Sequence, residues 1–258
     1  MTETRPQVNV ELCTDDGVRV DAVHLPGDQR LGIVLAHGFS GSWRKPRTRL
    51  VSRAFQRFGG VVGFDFRGHG RSSGVSTVGD KEIFDLAAAV SFARSRGYHS
   101  IAVVGFSMGA SVAVRHAALM GGVDAVVAVS GPAHWYYRGT TTMRMVHRAI
   151  ETPSGRVVSR VALHTRISSG GWEVTPLTPE AVAHRVAPTP LLIVHGDADR
   201  FFPLRHAHAL AAAATEPKQL WIEPGMGHAE SGITPQLVAR IGGWLSNSTR
   251  PTAVRPGA

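Results

Sequence analysis

Six short, continuous apolar runs constrain the fold of this chain more than any other feature of its sequence. Most are bounded by Gly or Asp, and unbroken runs of this length are typical of strands buried on both faces of a parallel sheet. The runs occupy residues 31–36, 60–64, 101–104, 123–129, 191–194 and 220–222.

Helical stretches separate these runs. Asp80 is positioned to cap a helix that continues to Gly97, and further helices are predicted over 108–120, 204–214 and 235–246. Strands that alternate with helices predict a sheet with helices on both faces. In such sheets the functional site gathers at the carboxyl ends of the strands, so the loops that follow the apolar runs are where chemistry is expected.

The first 25 residues have the alternating pattern of a β-hairpin. Apolar and polar residues alternate over 8–12 and again over 18–22, and the turn signal Asp15-Asp16-Gly17 lies between them. Together with the six runs, the hairpin predicts an α/β fold with a mostly parallel eight-stranded sheet. At 258 residues the chain suits one large domain.

Residues 132–185 interrupt the alternation of strands and helices. An insertion that follows the run at 123–129 lies over the site end of the sheet, so this segment is expected to form a small cap. The core is then 1–131 and 186–247, and 248–258 is expected to be a flexible tail. The alternative for the insertion is a disordered excursion, which the apolar pairs around Val157–Leu163 disfavour.

The chain is basic, with 28 Lys and Arg residues against 19 Asp and Glu and a net charge of +9. Its densest basic cluster spans 44–57, where a helix would turn Leu50, Val51, Ala54 and Phe58 inward and leave the charges in water. A basic surface that attracts anionic substrates, membranes or nucleic acid is the alternative. We favour the solvated face, and we expect no nucleic-acid partner because no such motif accompanies the cluster.

The single cysteine, Cys13, excludes an intrachain disulfide and a Cys-rich metal site. The first nine residues are polar and lack the apolar core of a secretory signal. No apolar stretch approaches the roughly 20 residues of a spanning helix, so no integral membrane segment is expected. The sequence therefore predicts a cytoplasmic location and leaves the oligomeric state open.

The segment Gly105-Phe106-Ser107-Met108-Gly109 lies directly between a predicted buried strand and a predicted helix. A serine hydroxyl is a poor nucleophile unless it is exposed, aimed and relieved of its proton. The two glycines allow strand and helix to approach closely while Ser107 occupies a strained turn at the tip. This context favours a nucleophilic serine over an ordinary glycine-rich helix start.

Four segments each follow a predicted strand: His37-Gly38-Phe39, the stretch Asp65–Ser72 (DFRGHGRS), the turn at Ser107, and His195-Gly196-Asp197-Ala198-Asp199. With these motifs in order along nearly the whole chain, the sequence resembles the α/β-hydrolase superfamily. The nearest match is the serine esterase and lipase-like branch, which is similar to monoacylglycerol lipases and S33-type peptidases.

The resemblance implies the chain order serine, acid, histidine. Three histidines follow the acid segment, and two of them, His206 and His208, are expected on the surface of the helix over 204–214. His228 lies in a glycine-containing loop after the run at 220–222, which is where the family's catalytic histidine resides. It is therefore expected to be the base that activates Ser107.

Two aspartates follow the run at 191–194, and the sequence does not separate them by itself. In the family's pattern the second acid of His-Gly-x-x-Asp, followed by an aromatic residue and proline, belongs to the triad. The resemblance thus implies Asp199 as the acid that orients the imidazole, with Asp197 as a turn-forming residue.

The resemblance also implies an oxyanion hole built from the backbone N–H groups of Phe39 and Met108. His37 is expected to be structural, because it precedes Ser107 in the chain. Three further residues are expected to brace the neighbouring loop without a catalytic role: Asp65, Arg67 and His69.

A serine at this turn predicts a hydrolase that cleaves carboxylic esters through an acyl-enzyme on Ser107, with no cofactor and no metal. An acyl thioesterase or S33-like peptidase on the same triad is the alternative, and a non-catalytic binding member of the fold is a third. In the cap, seven Arg residues against three Glu give a balance of +4. They favour either an anionic acyl substrate or, as we prefer, a solvated cap surface; the physiological substrate stays open.

Overall fold

The computed structural model describes residues 6–249, which contain an eight-stranded sheet. The strands are β1 Val8–Cys13, β2 Arg19–Leu25, β3 Leu31–Ala36, β4 Gly60–Phe64, β5 Ser100–Phe106, β6 Ala125–Val129, β7 Leu191–Gly196 and β8 Lys218–Glu223. Their order in space is β1-β2-β4-β3-β5-β6-β7-β8. The β1–β2 and β2–β4 pairs are antiparallel and all the other pairs are parallel. The predicted hairpin and mostly parallel sheet are confirmed.

Helices cover both faces of this sheet. Within residues 6–249 they are α1 Pro46–Phe55, α2 Glu82–Ser95, α3 Met108–Leu119, α4 Thr141–Glu151, α5 Pro153–Ala162, α6 Pro179–Val182, α7 Arg205–Ala213, α8 Ala229–Gly232 and α9 Pro235–Ser248. A 3₁₀ turn follows α6 at Ala183–Arg185.

Successive residues of the central strands belong to two different cores. On β3, Val34 and Ala36 belong to the core formed with α2, α3 and α7, whereas Ile33 and Leu35 belong to the core formed with α1 and α9. Side chains alternate across a strand, so a strand covered on both faces needs apolar residues at every position. This double burial is why the apolar runs of the sequence are continuous.

Helix α1 is amphipathic, as expected, but its buried stripe differs from the predicted one. Val51 and Phe55 are buried, while Leu50 is 62% exposed, so its inward placement was wrong. The helix ends at Phe55, and the stripe runs through positions 48, 51, 52 and 55 at helical spacing. The exposed basic residues of the cluster are Lys45, Arg47, Arg49, Arg53 and Arg57.

The predicted cap at Asp80 was also wrong. Helix α2 begins at Glu82, and the Glu82 carboxylate accepts hydrogen bonds from the hydroxyls of Ser76 and Thr77 and from the N–H groups of Thr77 and Gly79. The Glu82 carboxylate lies in the first turn and binds the preceding loop. It therefore stabilises the N-terminus of α2, as had been expected of Asp80.

Three helices and the 3₁₀ turn lie within residues 132–185. Two bridges join this segment to the loop after β4, His69 with Thr165 and Ser76 with Ile167. The Trp172 indole N–H donates to the carbonyl of Thr77 at 2.6 Å. The segment is thus tied to the core at several points.

The predicted tail, 248–258, lies outside the described residues except for Ser248, the last residue of α9, and Thr249. In the described part of the chain no helix combines the length and apolar character needed to cross a membrane.

Candidate active site

Ser107 lies at a sharp turn between β5, which ends at Phe106, and α3, which begins at Met108. Its backbone has φ 51° and ψ −117°, a positive φ that a residue with a side chain adopts only under strain. The turn leaves Ser107 half-buried while its neighbours are buried. The strand-to-helix context expected from the sequence is therefore present.

The two glycines of the turn are required by close packing. A Cβ added to Gly105 would lie 2.3 Å from the carbonyl oxygen of Gly109, and one added to Gly109 would lie 2.2 Å from the carbonyl oxygen of Ala36. Any side chain at either position would separate α3 from the sheet. The spacing of glycine around Ser107 thus follows from the contact of α3 with β3 and β5.

Two hydrogen bonds join Ser107, His228 and Asp199. His228 Nε2 lies 2.9 Å from Ser107 Oγ, and His228 Nδ1 lies 2.8 Å from Asp199 Oδ2. An ionised carboxylate only accepts hydrogen bonds, so Nδ1 carries a proton and Nε2 of the neutral ring accepts from the serine hydroxyl. The structure brings these three sequence-predicted side chains together, although they are far apart in the chain.

The Asp199 side chain is fully buried. Burial by itself raises the pKa of this carboxyl, but the hydrogen bond and charge of His228, with the N–H groups of Phe201 and Phe202, outweigh burial, and the pKa of Asp199 is lowered. Those N–H groups donate to Oδ1 at 2.7 and 3.1 Å, which leaves Oδ2 for the imidazole. Asp199 is therefore ionised and held in one orientation.

Asp197, the other aspartate of this loop, makes a different contact. It is exposed, and its Oδ1 accepts from the N–H of Gly225 at 2.7 Å. That bond connects the loop after β7 to the loop that carries His228. The contact is consistent with the turn-forming role expected for Asp197.

Two contacts on the histidine loop could not be predicted from the sequence. The Phe201 ring stacks on the His228 ring with centroids 4.1 Å apart and planes 22° apart. The N–H of Ala229 donates to Ser130 Oγ at 3.0 Å. Both partners come from other loops at the same edge of the sheet, and both restrict the position of the imidazole.

The expectation that His206 lies on the surface was wrong. His206 is fully buried, and its Nδ1 accepts from the N–H of Ala133 at 3.2 Å, while His208 is exposed as predicted. The inner face of α7 is covered by Tyr137 and Phe202, whose rings contact the imidazole. Burial lowers the pKa of His206 to about 4, so this ring is neutral at physiological pH.

His37 orients the peptide group between Gly38 and Phe39. Its Nε2 accepts from the N–H of Phe66 at 3.0 Å, so Nδ1 bears the proton and donates to the carbonyl of Gly38 at 2.7 Å. Burial lowers the pKa of His37 well below its ordinary value, which keeps the ring neutral. His37 thus makes structural contacts, as the sequence suggested.

The carbonyl of Gly38 and the N–H of Phe39 belong to one planar peptide and point in opposite directions. Within residues 6–249 neither this N–H nor that of Met108 donates to another protein group. Gly38 is next to the serine, because a Cβ added to it would lie 3.1 Å from Ser107 Cβ. Two free donors are therefore available near the hydroxyl.

The loop after β4 is braced as expected. Asp65 accepts from the N–H groups of Trp43 and Arg71, and burial raises its pKa to about 6. The Arg67 guanidinium pairs with Asp85 and Asp16. His69 Nδ1 is hydrogen-bonded to the carbonyl of Arg67 at 2.9 Å.

A cavity of about 480 Å³ lies beside Ser107 and His228. Its lining includes two carboxylates, Glu151 and Glu230, and no arginine or lysine from the described residues. The large apolar side chains on the lining include Trp135, Met143, Val146, Ile150, Ile167 and Trp172. Among residues 6–249 no cluster of three or more His, Cys, Asp or Glu side chains could hold a metal ion.

A model of the alpha/beta hydrolase family matches residues 33–241, which is more than half of the chain. The chain belongs to the alpha/beta hydrolase family. The uncharacterized protein YfhR of Escherichia coli O157:H7 is 27% identical to this chain over 230 residues, which are 86% of this chain and 74% of YfhR. The monoacylglycerol lipase of Mycolicibacterium smegmatis is 26% identical over 235 residues, 78% of this chain and 82% of the lipase.

Solved structures resemble this chain over almost its whole length. A structure of the Pyrococcus furiosus esterase Pf2001 has a TM-score of 0.74 at 25% identity and covers 94% of this chain and 91% of the esterase. The resemblance to the α/β-hydrolase superfamily and the predicted fold class are thereby confirmed.

The strain at Ser107 can be measured with two substitutions that both remove the hydroxyl. We expect Ser107→Gly to have a free energy of unfolding about 1 kcal/mol higher than Ser107→Ala, because only glycine relieves the positive φ. Urea denaturation of the two variants measures the difference. A Ser107→Ala variant as stable as Ser107→Gly would show that the turn stores no strain.

Proposed function

We propose that this protein is a serine hydrolase that cleaves carboxylic esters, with Ser107 as nucleophile, His228 as base and Asp199 as orienting acid. The observation that carries the proposal is the pair of hydrogen bonds, 2.9 Å from His228 Nε2 to Ser107 Oγ and 2.8 Å from Nδ1 to Asp199 Oδ2. A hydroxyl becomes nucleophilic when a positioned imidazole can take its proton, and the buried carboxylate stabilises the imidazolium that results.

In the first step Ser107 Oγ forms a bond to the acyl carbon while its proton passes to His228 Nε2. The carbonyl oxygen becomes an oxyanion, and the N–H groups of Phe39 and Met108 donate to it. The tetrahedral intermediate then expels the alcohol, which leaves with the proton from His228. Removal of one such donor lowers turnover by roughly 10²- to 10³-fold in related chemistry.

In the second step water attacks the acyl-enzyme on the same carbon. His228 takes the proton of the water and returns it to Ser107 Oγ when the ester bond to the serine breaks. The products are the free acid and the regenerated enzyme. Every proton in this cycle passes through His228, and no step requires a metal or an organic cofactor.

The cavity supports an apolar acyl group in preference to an anionic one. Its lining is mostly aromatic and aliphatic, and the only charged side chains on it are the carboxylates of Glu151 and Glu230, as far as the described residues extend. The arginines of the insertion are absent from this lining, and this absence favours the prediction that they form a solvated surface. The monoacylglycerol lipase relative also supports an ester of an apolar acyl chain.

We further propose that residues 132–185 are the cap of this site and that 1–131 and 186–247 are its core. Trp135, Met143 and Val146 come from the insertion and line the same cavity as Ser107. In this arrangement the insertion influences which acyl chains bind, and the loops at the strand ends carry the catalytic residues.

The acid assignment predicts unequal effects of two conservative substitutions in one loop. Asp199→Asn should lower kcat for p-nitrophenyl butyrate by roughly 10³- to 10⁴-fold, because the amide no longer holds the required imidazole tautomer. Asp197→Asn is the matched control and should change kcat by less than about threefold, since Asp197 contacts only backbone N–H. Steady-state kinetics of both variants measures this, and equal losses would contradict the assignment.

The cavity assignment predicts a change in chain-length preference. Val146→Trp should reduce the ratio of kcat/KM for p-nitrophenyl octanoate over acetate by at least about tenfold, because each methylene that loses its contact costs about 0.8 kcal/mol.

Val158→Trp is the matched control for this experiment. Val158 is 60% exposed on α5 and is not part of the cavity lining, so its ratio should equal that of the wild type. A Val146→Trp variant with an unchanged ratio would place the acyl chain elsewhere.

A further inference from the structure

Glu230 is a half-buried carboxylate of the site that no motif in the sequence identified. It lies two residues after His228, in the short helix α8, and its side chain lines the cavity. Its Oε1 accepts a hydrogen bond of 2.7 Å from the N–H of Gly38, which is 192 residues away in the chain. The contact therefore connects the histidine loop to the loop that carries Phe39.

The hydrogen bond to Glu230 affects the reacting centre through Gly38. A Cβ added to Gly38 would lie 3.1 Å from Ser107 Cβ and 3.4 Å from Glu230 Oε2. A glycine has no side chain to restrict its φ and ψ, so the orientation of its two flanking peptides must be set by hydrogen bonds.

Each of the two peptides is held by a different residue. His37 Nδ1 donates to the carbonyl of Gly38, which belongs to the peptide that carries the Phe39 N–H. Glu230 accepts from the N–H of Gly38, which belongs to the preceding peptide. Together the two bonds restrict rotation on both sides of Gly38, and the Phe39 N–H keeps one direction.

We infer that Glu230 is a positioning residue that holds the Phe39 N–H ready for the oxyanion and couples this donor to the loop of His228. The inference rests on the proposed serine-hydrolase function. Glu230 acts through Gly38 and touches no reacting atom, and the transition state gains from it because the donor needs no reorganisation when the oxyanion forms.

Burial raises the pKa of Glu230 and outweighs the N–H of Gly38 and the charges of His228 and Lys45, which lower it. Lys45 donates to the carbonyl of Ser40, and the Arg47 guanidinium donates to the backbone carbonyls of Glu230 and Ile233.

Three substitutions at position 230 test the inference, with Glu216→Gln at an exposed site as the matched control. Glu230→Ala removes the acceptor and should lower kcat for p-nitrophenyl butyrate by roughly 10- to 100-fold with KM within about threefold. Glu230→Gln keeps an acceptor oxygen and should restore kcat to within about threefold of the wild type. Glu230→Asp, whose shorter side chain cannot reach Gly38, should resemble Glu230→Ala.

Two readouts separate positioning from a general loss of structure. The inhibition constant of a trifluoromethyl ketone, which forms an oxyanion on Ser107, should rise in Glu230→Ala by about the same factor by which kcat falls. Thermal melting of every variant checks the fold.

The inference is overturned if Glu230→Ala keeps the kcat of the wild type, if its loss is confined to KM, or if Glu230→Gln is as slow as Glu230→Ala. Absence of ester turnover in both the wild type and Glu216→Gln is a different result, because it refutes the proposed function and the inference falls with it.

Discussion

The contact between helix α3 and the centre of the sheet is the constraint on which the rest of the site depends. Gly109 lies against the carbonyl oxygens of Ala36 and His37, and Gly105 lies against Gly109, so closely that no Cβ fits at either position. This approach forces the chain through a turn too tight for ordinary backbone angles. Ser107 takes the strained position, and the strain presents its hydroxyl at the carboxyl edge of the sheet.

The other functional residues follow other strands of the sheet and lie at the same edge. Asp199 follows β7, His228 follows β8, and the loop of Phe39 follows β3, the strand that α3 contacts. The parallel order β3-β5-β6-β7-β8 places these strand ends side by side. Three hydrogen bonds between loops then fix their positions: the backbone N–H groups of Gly225, Ala229 and Gly38 donate to the side chains of Asp197, Ser130 and Glu230, respectively.

The sheet and the three bonded side chains could be predicted because they leave local signals in the sequence. Apolar runs indicate strands that are covered on both faces, and the glycines around Ser107 indicate the close packing of α3. His228 and Asp199 could be placed by chain order, since each directly follows a strand. Asp199 could be preferred to Asp197 only through family resemblance, because the deciding bond joins residues 29 positions apart.

The errors have one physical origin, which is tertiary contact that a local pattern does not encode. His206 has the spacing of a surface residue until Tyr137 and Phe202 cover it. Asp80 has the character of a helix cap, but Glu82 binds the preceding loop instead. Glu230 left no signal because its partner is a backbone N–H on a distant loop.

Covalent labelling tests most directly whether Ser107 is the nucleophile and His228 activates it. A fluorophosphonate probe is incubated with the wild type, Ser107→Ala and His228→Ala, and the modified residue is located by peptide mass mapping. We expect one adduct on Ser107 in the wild type, none in Ser107→Ala, and labelling slowed by several orders of magnitude in His228→Ala. No adduct on the folded wild type, or an adduct on another residue, would contradict it.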